Sequence, residues 1–397
     1  MSKEKTSEEN SSEKNPSEEN PSEENPSEEN PVEENSSEKN PIEKNPIEEK
    51  LLSAIKNSLY GFVIGDAMGV PVEFKKRNYL KKNPVDSMTG CGTYPDIPAG
   101  TWSDDTSMTL ATMDSLIKCN WNVNYNDIAD RFCGWFYNAE YTATNNVFDI
   151  GNTTKIALYT YQNLGIDAIE CGEKGENSNG NGSLMRMLPI ALYCYYNHLN
   201  KSEILDIVKK SSSITHAHER SVMGCYIYVR YMICLLEGKG KLEAYDVVRH
   251  LDYSMFSEET NESYSRILKD DISKFNLDDI QSSGYVIHTL ESVFWVILNN
   301  DSYEKSILTA VNLGEDTDTI GAITGSIAGL LYGYPNIPDE WLNALKNKSY
   351  LDKIISEFEH MLSTMQSKEM DTDENHLDLL TIRMYRFGQL KKKAVNK

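Results

Sequence analysis

No part of this chain is apolar for long enough to cross a bilayer. The longest run of apolar and small residues, Ile320 to Tyr334, covers about fifteen positions, against the roughly twenty that a membrane helix needs. No signal peptide opens the sequence. A disulfide framework is missing as well, because the seven cysteines are odd in number and form no CxxC pair. They read as buried thiols in a reducing compartment. An intracellular, cytoplasmic protein with no membrane partner is therefore expected. Positive charge is scarce: 39 Lys and Arg face 61 Asp and Glu, a formal net charge of −22. Nucleic-acid phosphates are neutralised by clustered Lys and Arg, so direct nucleic-acid binding is not expected. The basic cluster Lys391–Lys393 reads as a solvated end. Period-two alternation with turn punctuation is also scarce, so little or no sheet is expected.

Residues 1–50 differ in kind from the rest. They cycle through "NPSEE" and near-copies, carry 16 Glu against 6 Lys, and contain no aromatic residue. Such a segment cannot bury enough apolar surface to offset its ordering entropy and reads as disordered. The remaining 347 residues are nearly all helical in pattern. Leu52, Ile55, Leu59, Phe62 and Val63 recur at three- and four-residue steps, the spacing of an amphipathic helix. Further helices are expected near 105–118, 125–138, 153–164, 182–197, 202–211, 217–236, 262–274, 285–299, 303–312, 318–333 and 349–365. The predicted fold is all-α: one compact many-helix orthogonal bundle over 51–366, with a partly helical, basic-ended extension over 367–397. A monomer is expected. Within "TIGAITGSIAGLLYG", Gly321, Gly325, Gly329 and Gly333 recur every four residues. Interior glycine costs roughly 1 kcal/mol against Ala, so this stripe predicts a close helix–helix approach at the centre of the domain.

Two short acidic clusters carry the chemistry. "GTWSDDTSMTL" holds Ser103, Asp104 and Asp105, and "NLGEDTDTIG" holds Glu315, Asp316, Asp318 and Thr319. Each opens a predicted helix, where a hydroxyl cap and acidic first turn are ordinary. Capping accounts for one carboxylate per helix and leaves the others unexplained. If the two helix starts meet, their carboxylates repel unless cations lie between them. An all-oxygen set favours Mg²⁺, Mn²⁺ or Ca²⁺ over Zn²⁺, and six side chains suit two metals about 4 Å apart. The ligand spacing of an EF-hand is absent.

Seven ordered blocks resemble the ADP-ribosylglycohydrolase family: "GFVIGDAMGVPVEF", "GTWSDDTSMTL", "DIGNTT", "NGNGSLMRMLPIAL", "ITHAHERSV", "SGYVIHTLESVFW" and "NLGEDTDTIGAITG". They extend over roughly Leu51–Leu362. The resemblance implies an all-helical fold around a central binuclear site holding two divalent cations, Mg²⁺ or Mn²⁺. Its ligands would be Ser103, Asp104, Asp105, Asp316, Asp318 and Thr319. Glu315 stands where many relatives have Gly and is not counted. Glu73 matches an acidic residue of a mobile loop near the metals. Glu73, Asp104, Asp105 and Asp316 are the carboxylates implied in catalysis. Asp149 and Asn152 resemble contacts to the distal ribose, and Asn181, Gly182, Ser183 and Met185 a loop whose backbone N–H groups reach the diphosphate. His216 resembles a histidine beside the nucleotide, and Tyr285 one that stacks on or borders the adenine. Without the resemblance, His216 and Met185 read as ordinary buried residues and Glu73 as a solvated loop carboxylate. The implied reaction is metal-dependent hydrolysis at the distal ribose C1″ of an ADP-ribosylated protein or related conjugate. A hydrolase of small nucleotide derivatives and a non-catalytic ADP-ribose binder are the alternatives left open, as is the linkage cleaved.

Overall fold

A computed structural model describes residues 46–372. The repeat tail, apart from its last few residues, lies outside the described residues, as do the end of the C-terminal extension and Lys391–Lys393. Among the described residues there are sixteen α-helices, six short 3-10 helices and two isolated β-bridges, with no named strand. The all-α expectation holds, and most helix starts fall within two residues of the predicted ones. Two differ. The helix expected from 182 begins at Leu188, because Pro189 fixes its first turn and a 3-10 turn, Leu184–Arg186, precedes it. The helix expected over 262–274 is broken into Glu258–Ser263, Ser265–Leu268 and the 3-10 turn Ile272–Lys274. Asp271 receives the Ser273 backbone N–H and hydroxyl, a local bond that competes with helix continuation. The helix Lys241–Arg249 opens on Gly240 with no capping side chain and leaves little trace in the sequence.

The glycine helix, Thr317–Tyr332, packs against the opening helix, Pro46–Gly69. The opening helix carries its own four-residue glycine stripe, Gly61, Gly65 and Gly69. The two stripes run antiparallel and touch backbone to backbone. A Cβ on Gly65 would overlap the Gly321 carbonyl oxygen, one on Gly61 that of Gly325, and one on Gly69 the backbone of Asp318. Ser326 and Tyr303 extend this seam with bonds to the Tyr228 hydroxyl (2.8 Å) and the Gly61 carbonyl (2.8 Å). The close approach explains the cost of so many interior glycines. It also delivers Asp66, which follows Gly65, and Asp318 to one place inside the domain, both fully buried. The helix Asp104–Lys118 is buried along almost its whole length and brings the third acidic segment to the same place. No helix among the described residues is long and apolar enough to cross a membrane.

Candidate active site

Ser103 caps the helix Asp104–Lys118. Its hydroxyl oxygen accepts the Asp105 N–H at 3.3 Å. A second cap comes from outside the helix. The Asp66 carboxylate accepts the N–H of Ser103 (2.9 Å), the N–H of Thr106 (3.0 Å) and the Thr106 hydroxyl (2.5 Å). A carboxylate of the opening helix thus satisfies two orphan donors of another helix. Burial nevertheless pushes the Asp66 carboxyl up to about 7, against the pull of these bonds. Sequence reasoning missed Asp66. The available signal was a lone charged residue, Asp66, in the otherwise apolar second half of the opening helix, Leu59–Gly69.

The two predicted acidic clusters meet. The Thr319 hydroxyl donates to Asp105 Oδ2 at 3.2 Å across 214 residues of sequence, and the Ser103 hydroxyl donates to the same oxygen at 3.2 Å. Asp105 Oδ1 and Asp318 Oδ2 are buried without any hydrogen-bond partner. Burial raises Asp104, Asp105 and Asp318 well above the usual carboxylate range, and the charges of Asp149, Asp66 and Glu73 respectively are the next largest causes. Asp316, half-buried at the start of its helix, is pushed up to about 6 by desolvation although Asn181 donates to it at 2.5 Å. Oxygens of Asp66, Asp105 and Asp318 lie within 4.8 Å of one another, and so do those of Glu73, Asp149 and Asp318. Asp318 is common to both groups. Asp149, expected on the ribose side, therefore stands beside the carboxylate cluster itself.

Glu73 is buried rather than solvated. Burial and then the Asp149 charge push its carboxyl up to about 10. The Tyr94 hydroxyl donates to Glu73 Oε2 at 2.7 Å, and the Tyr94 ring packs on Phe148 with centroids 4.9 Å apart. Tyr94 thereby ties the loops of Glu73 and Asp149 together; nothing in the sequence pattern marks it. Phe74 and Glu315, non-glycine residues at φ 63° and 65°, pair by backbone bonds: Phe74 N–H to Glu315 O at 2.6 Å, and Glu315 N–H to Lys75 O at 2.7 Å. The left-handed backbone at Glu315 is one that Gly adopts more readily, and its carboxylate belongs to neither acidic group.

A second wall is built from Asn179–Met185. Asn181 N–H bonds Gly284 O and Val286 N–H bonds Asn179 O, both at 3.0 Å, which pins the loop beside Tyr285. Of the four residues expected to offer backbone N–H groups, Asn181 and Met185 already spend theirs, the latter on Asn181 O at 3.0 Å. Gly182 and Ser183 keep theirs without a partner among the described residues. The Met185 side chain packs in a satellite core with Phe132 and Trp135. The Ser183 hydroxyl is turned inward, accepting from Ser212 at 2.9 Å. The His216 ring faces Gly182, where an added Cβ would come within 2.8 Å of Cε1. Asn152 is exposed at the start of the helix Asn152–Leu164, and Tyr285 is half-buried with its ring edge-on to His288.

Orphaned, buried oxygens of carboxyls raised by burial and then by neighbouring carboxylates lack a positive counter-charge, and no His or Cys enters either group. The donor set fits hard divalent cations. The family model for ADP-ribosylglycohydrolase matches residues 47–368. An ADP-ribosylarginine hydrolase, Tri1, of Serratia proteamaculans is 31% identical over 313 residues, 78% of this chain and 80% of the relative. The ADP-ribosyl-[dinitrogen reductase] glycohydrolase of Rhodospirillum rubrum is 29% identical over 295 residues, 72% of this chain and 88% of the relative. A solved structure described as an ADP-ribosylglycohydrolase-related protein complex superposes with a TM-score of 0.65 at 26% identity, covering 79% of this chain and 99% of that one. With the acidic clusters brought together as the motifs imply, this chain belongs to the ADP-ribosylglycohydrolase family and is a glycohydrolase.

Proposed function

We propose that the chain, acting as a monomer through its domain at 51–366, hydrolyses the bond between an arginine side chain and the distal ribose C1″ of ADP-ribosylated proteins. The observation that carries the reading is the pair of orphaned oxygens, Asp105 Oδ1 and Asp318 Oδ2, at the convergence of segments that hold Asp66, Glu73, Asp104, Asp149 and Asp316. Similarity to a relative named as an ADP-ribosylarginine hydrolase supports the arginine linkage.

Two cations, Mg²⁺ or Mn²⁺, would be held by Ser103, Asp104, Asp105, Asp316, Asp318 and Thr319, with Asp66 fixing the helix start that carries half of them. Bound there, they supply Lewis-acid polarisation and orientation of the ribose hydroxyls. Glu73 is the proton-transfer group. It accepts a proton from the water that attacks C1″, and the departing guanidino nitrogen takes a proton back as the C1″–N bond breaks. A counter-charge beside Asp318 favours the ionised form of Glu73 that this step needs. Asp149 and Asn152 face the distal ribose, Gly182 and Ser183 N–H groups the diphosphate, and Tyr285 the adenine. The test is ADP-ribose release from arginine- and serine-ADP-ribosylated proteins, with Mg²⁺ or Mn²⁺ and with chelator. Release from arginine that stops on chelation is expected. Release from serine alone overturns the linkage, and release indifferent to chelation overturns the metal reading.

A further inference from the structure

Arg186 is a cation with no anion. It is 1% exposed, and no carboxylate pairs with it among the described residues. Its Nη1 donates to Ser211 O at 3.1 Å, its Nη2 donates to Thr215 Oγ1 at 2.8 Å, and its Nε has no partner. Phe132 lies against its guanidinium at 4.8 Å. Buried charges in folded proteins are paired. An unpaired one needs a counter-charge that arrives from elsewhere, and its contacts show the direction.

Thr215 Oγ1 lies 2.8 Å from His216 Nδ1. Arg186 can only donate, so the Thr215 oxygen accepts from it. The Thr215 hydroxyl hydrogen is fully buried and has no acceptor among the described residues other than Nδ1. If Nδ1 carried a proton, that hydroxyl hydrogen would be orphaned and two donors would crowd one oxygen beside a cation. Nδ1 is therefore the acceptor and the ring proton sits on Nε2. His216 is buried and close to Arg186, which keeps it neutral. Nε2 makes no hydrogen bond to any described residue. It faces Gly180 and Gly182, where an added Cβ would lie 3.5 and 3.4 Å from it. These glycines belong to the loop whose Gly182 and Ser183 N–H groups are also unspent.

We propose that Arg186 and Thr215 are positioning residues: they lock His216 as an Nε2–H donor toward the diphosphate of bound ADP-ribose, and the buried guanidinium supplies the standing positive potential that this dianion meets. The inference rests on the reading of the site as an ADP-ribose site. It adds that phosphate recognition here depends on a relay one layer behind the contact surface.

The experiment uses the full chain with Mg²⁺ and two probes, ADP-ribose and adenosine, the second lacking the diphosphate. Thr215→Val keeps the shape and removes the hydroxyl; Thr215→Ser keeps the hydroxyl. The first should bind ADP-ribose about tenfold more weakly, in the range of a hydrogen bond to a charged group, and adenosine unchanged. The second should restore ADP-ribose affinity. Ring ¹⁵N spectra, with His216 assigned by its loss in His216→Gln, should show the Nε2–H form in the parent and a mixed population in Thr215→Val. A parent that does not bind ADP-ribose overturns the functional reading and this inference with it. A parent that binds, with a Thr215→Val variant of equal affinity or an Nδ1–H ring in the parent, overturns this inference alone. Equal weakening for both probes assigns Thr215 a merely structural role and overturns it too.

Discussion

Asp318 is the residue on which both acidic groups depend. Its two neighbours in one group, Asp66 and Asp105, and in the other, Glu73 and Asp149, come from four other segments. Replacing it with Asn keeps the volume and removes one of the mutually repelling charges. Asp318→Asn should lower ADP-ribose release at least a hundredfold and weaken Mg²⁺ binding measured by calorimetry. Because that charge is buried with no cation beside it and its Oδ2 has no partner, Oδ1 alone accepting the Thr319 N–H, the same variant should melt higher than the parent in chelator at pH 8. Higher thermal stability together with lost activity separates a metal ligand from a structural carboxylate, which would lower both. Tyr94→Phe probes the other side: it removes the bond to Glu73 Oε2 and keeps the ring on Phe148. It should lower kcat by about tenfold with KM little changed if Glu73 is the proton-transfer group proposed above and Tyr94 orients it. That the segments of Asp104–Asp105 and Asp316–Asp318 would meet was legible, because a pair of carboxylates at each helix start exceeds what capping requires. Asp66 and Tyr94 were not. Each is a single residue whose partners lie elsewhere in the chain, and no local pattern records such a pairing.

At the scale of elements, the seam between the two glycine stripes decides where Asp66 and Asp318 sit. Gly65→Ala would drive a methyl into the Gly321 carbonyl, and backbone cannot yield as a side-chain tip can. A cost of about 3 kcal/mol is expected, together with weakened Mg²⁺ binding, because separating the helices separates their carboxylates. Gly175→Ala, which meets only the Ser178 hydroxyl oxygen at 3.6 Å, should stay within about 0.5 kcal/mol of the parent. Chemical denaturation of both variants provides the comparison, and a Gly65→Ala protein as stable as Gly175→Ala would remove the seam from the account. The stripe Gly321, Gly325 and Gly329 was readable as a close approach, since only packing repays repeated interior glycine; Gly333, read with it, instead ends the helix at φ 83° and touches no opposing backbone. The stripe's counterpart Gly61–Gly69 shows the same spacing, and the pairing between them is a tertiary fact. The segment 262–274 was read as one helix for the opposite reason: its apolar spacing is helical, and the Asp271 side chain overrides it locally.

For the whole molecule, the cluster makes folding, proton uptake and cation binding one linked equilibrium. Asp316 moves from the ordinary carboxylate value to about 6 and Asp66 to about 7, both through burial. A folded-state value above the unfolded one means that the metal-free fold holds more protons than the unfolded chain between roughly pH 4 and 7. These groups therefore favour the fold below about pH 4, and that contribution is lost as pH rises through 6 and 7. Other groups act the opposite way. The buried neutral His216, held down to about 3, withdraws stability as pH falls below about 6.5, and ion-paired carboxylates such as Asp127 and Glu357, held below their usual range, do so as pH falls below about 4. A melting profile in chelator alone would mix both trends. The difference in Tm between Mg²⁺ and chelator cancels the groups distant from the cluster and keeps the cluster's own, because cations compete with protons only there. That difference should be small near pH 4.5 and grow steadily to pH 8, and Asp318→Asn should flatten it. A difference that is constant with pH would mean that the carboxylates are already ionised in the metal-free fold. The orphaned oxygens would then need a counter-charge from the protein itself, and none of the described Lys or Arg residues is bonded to them.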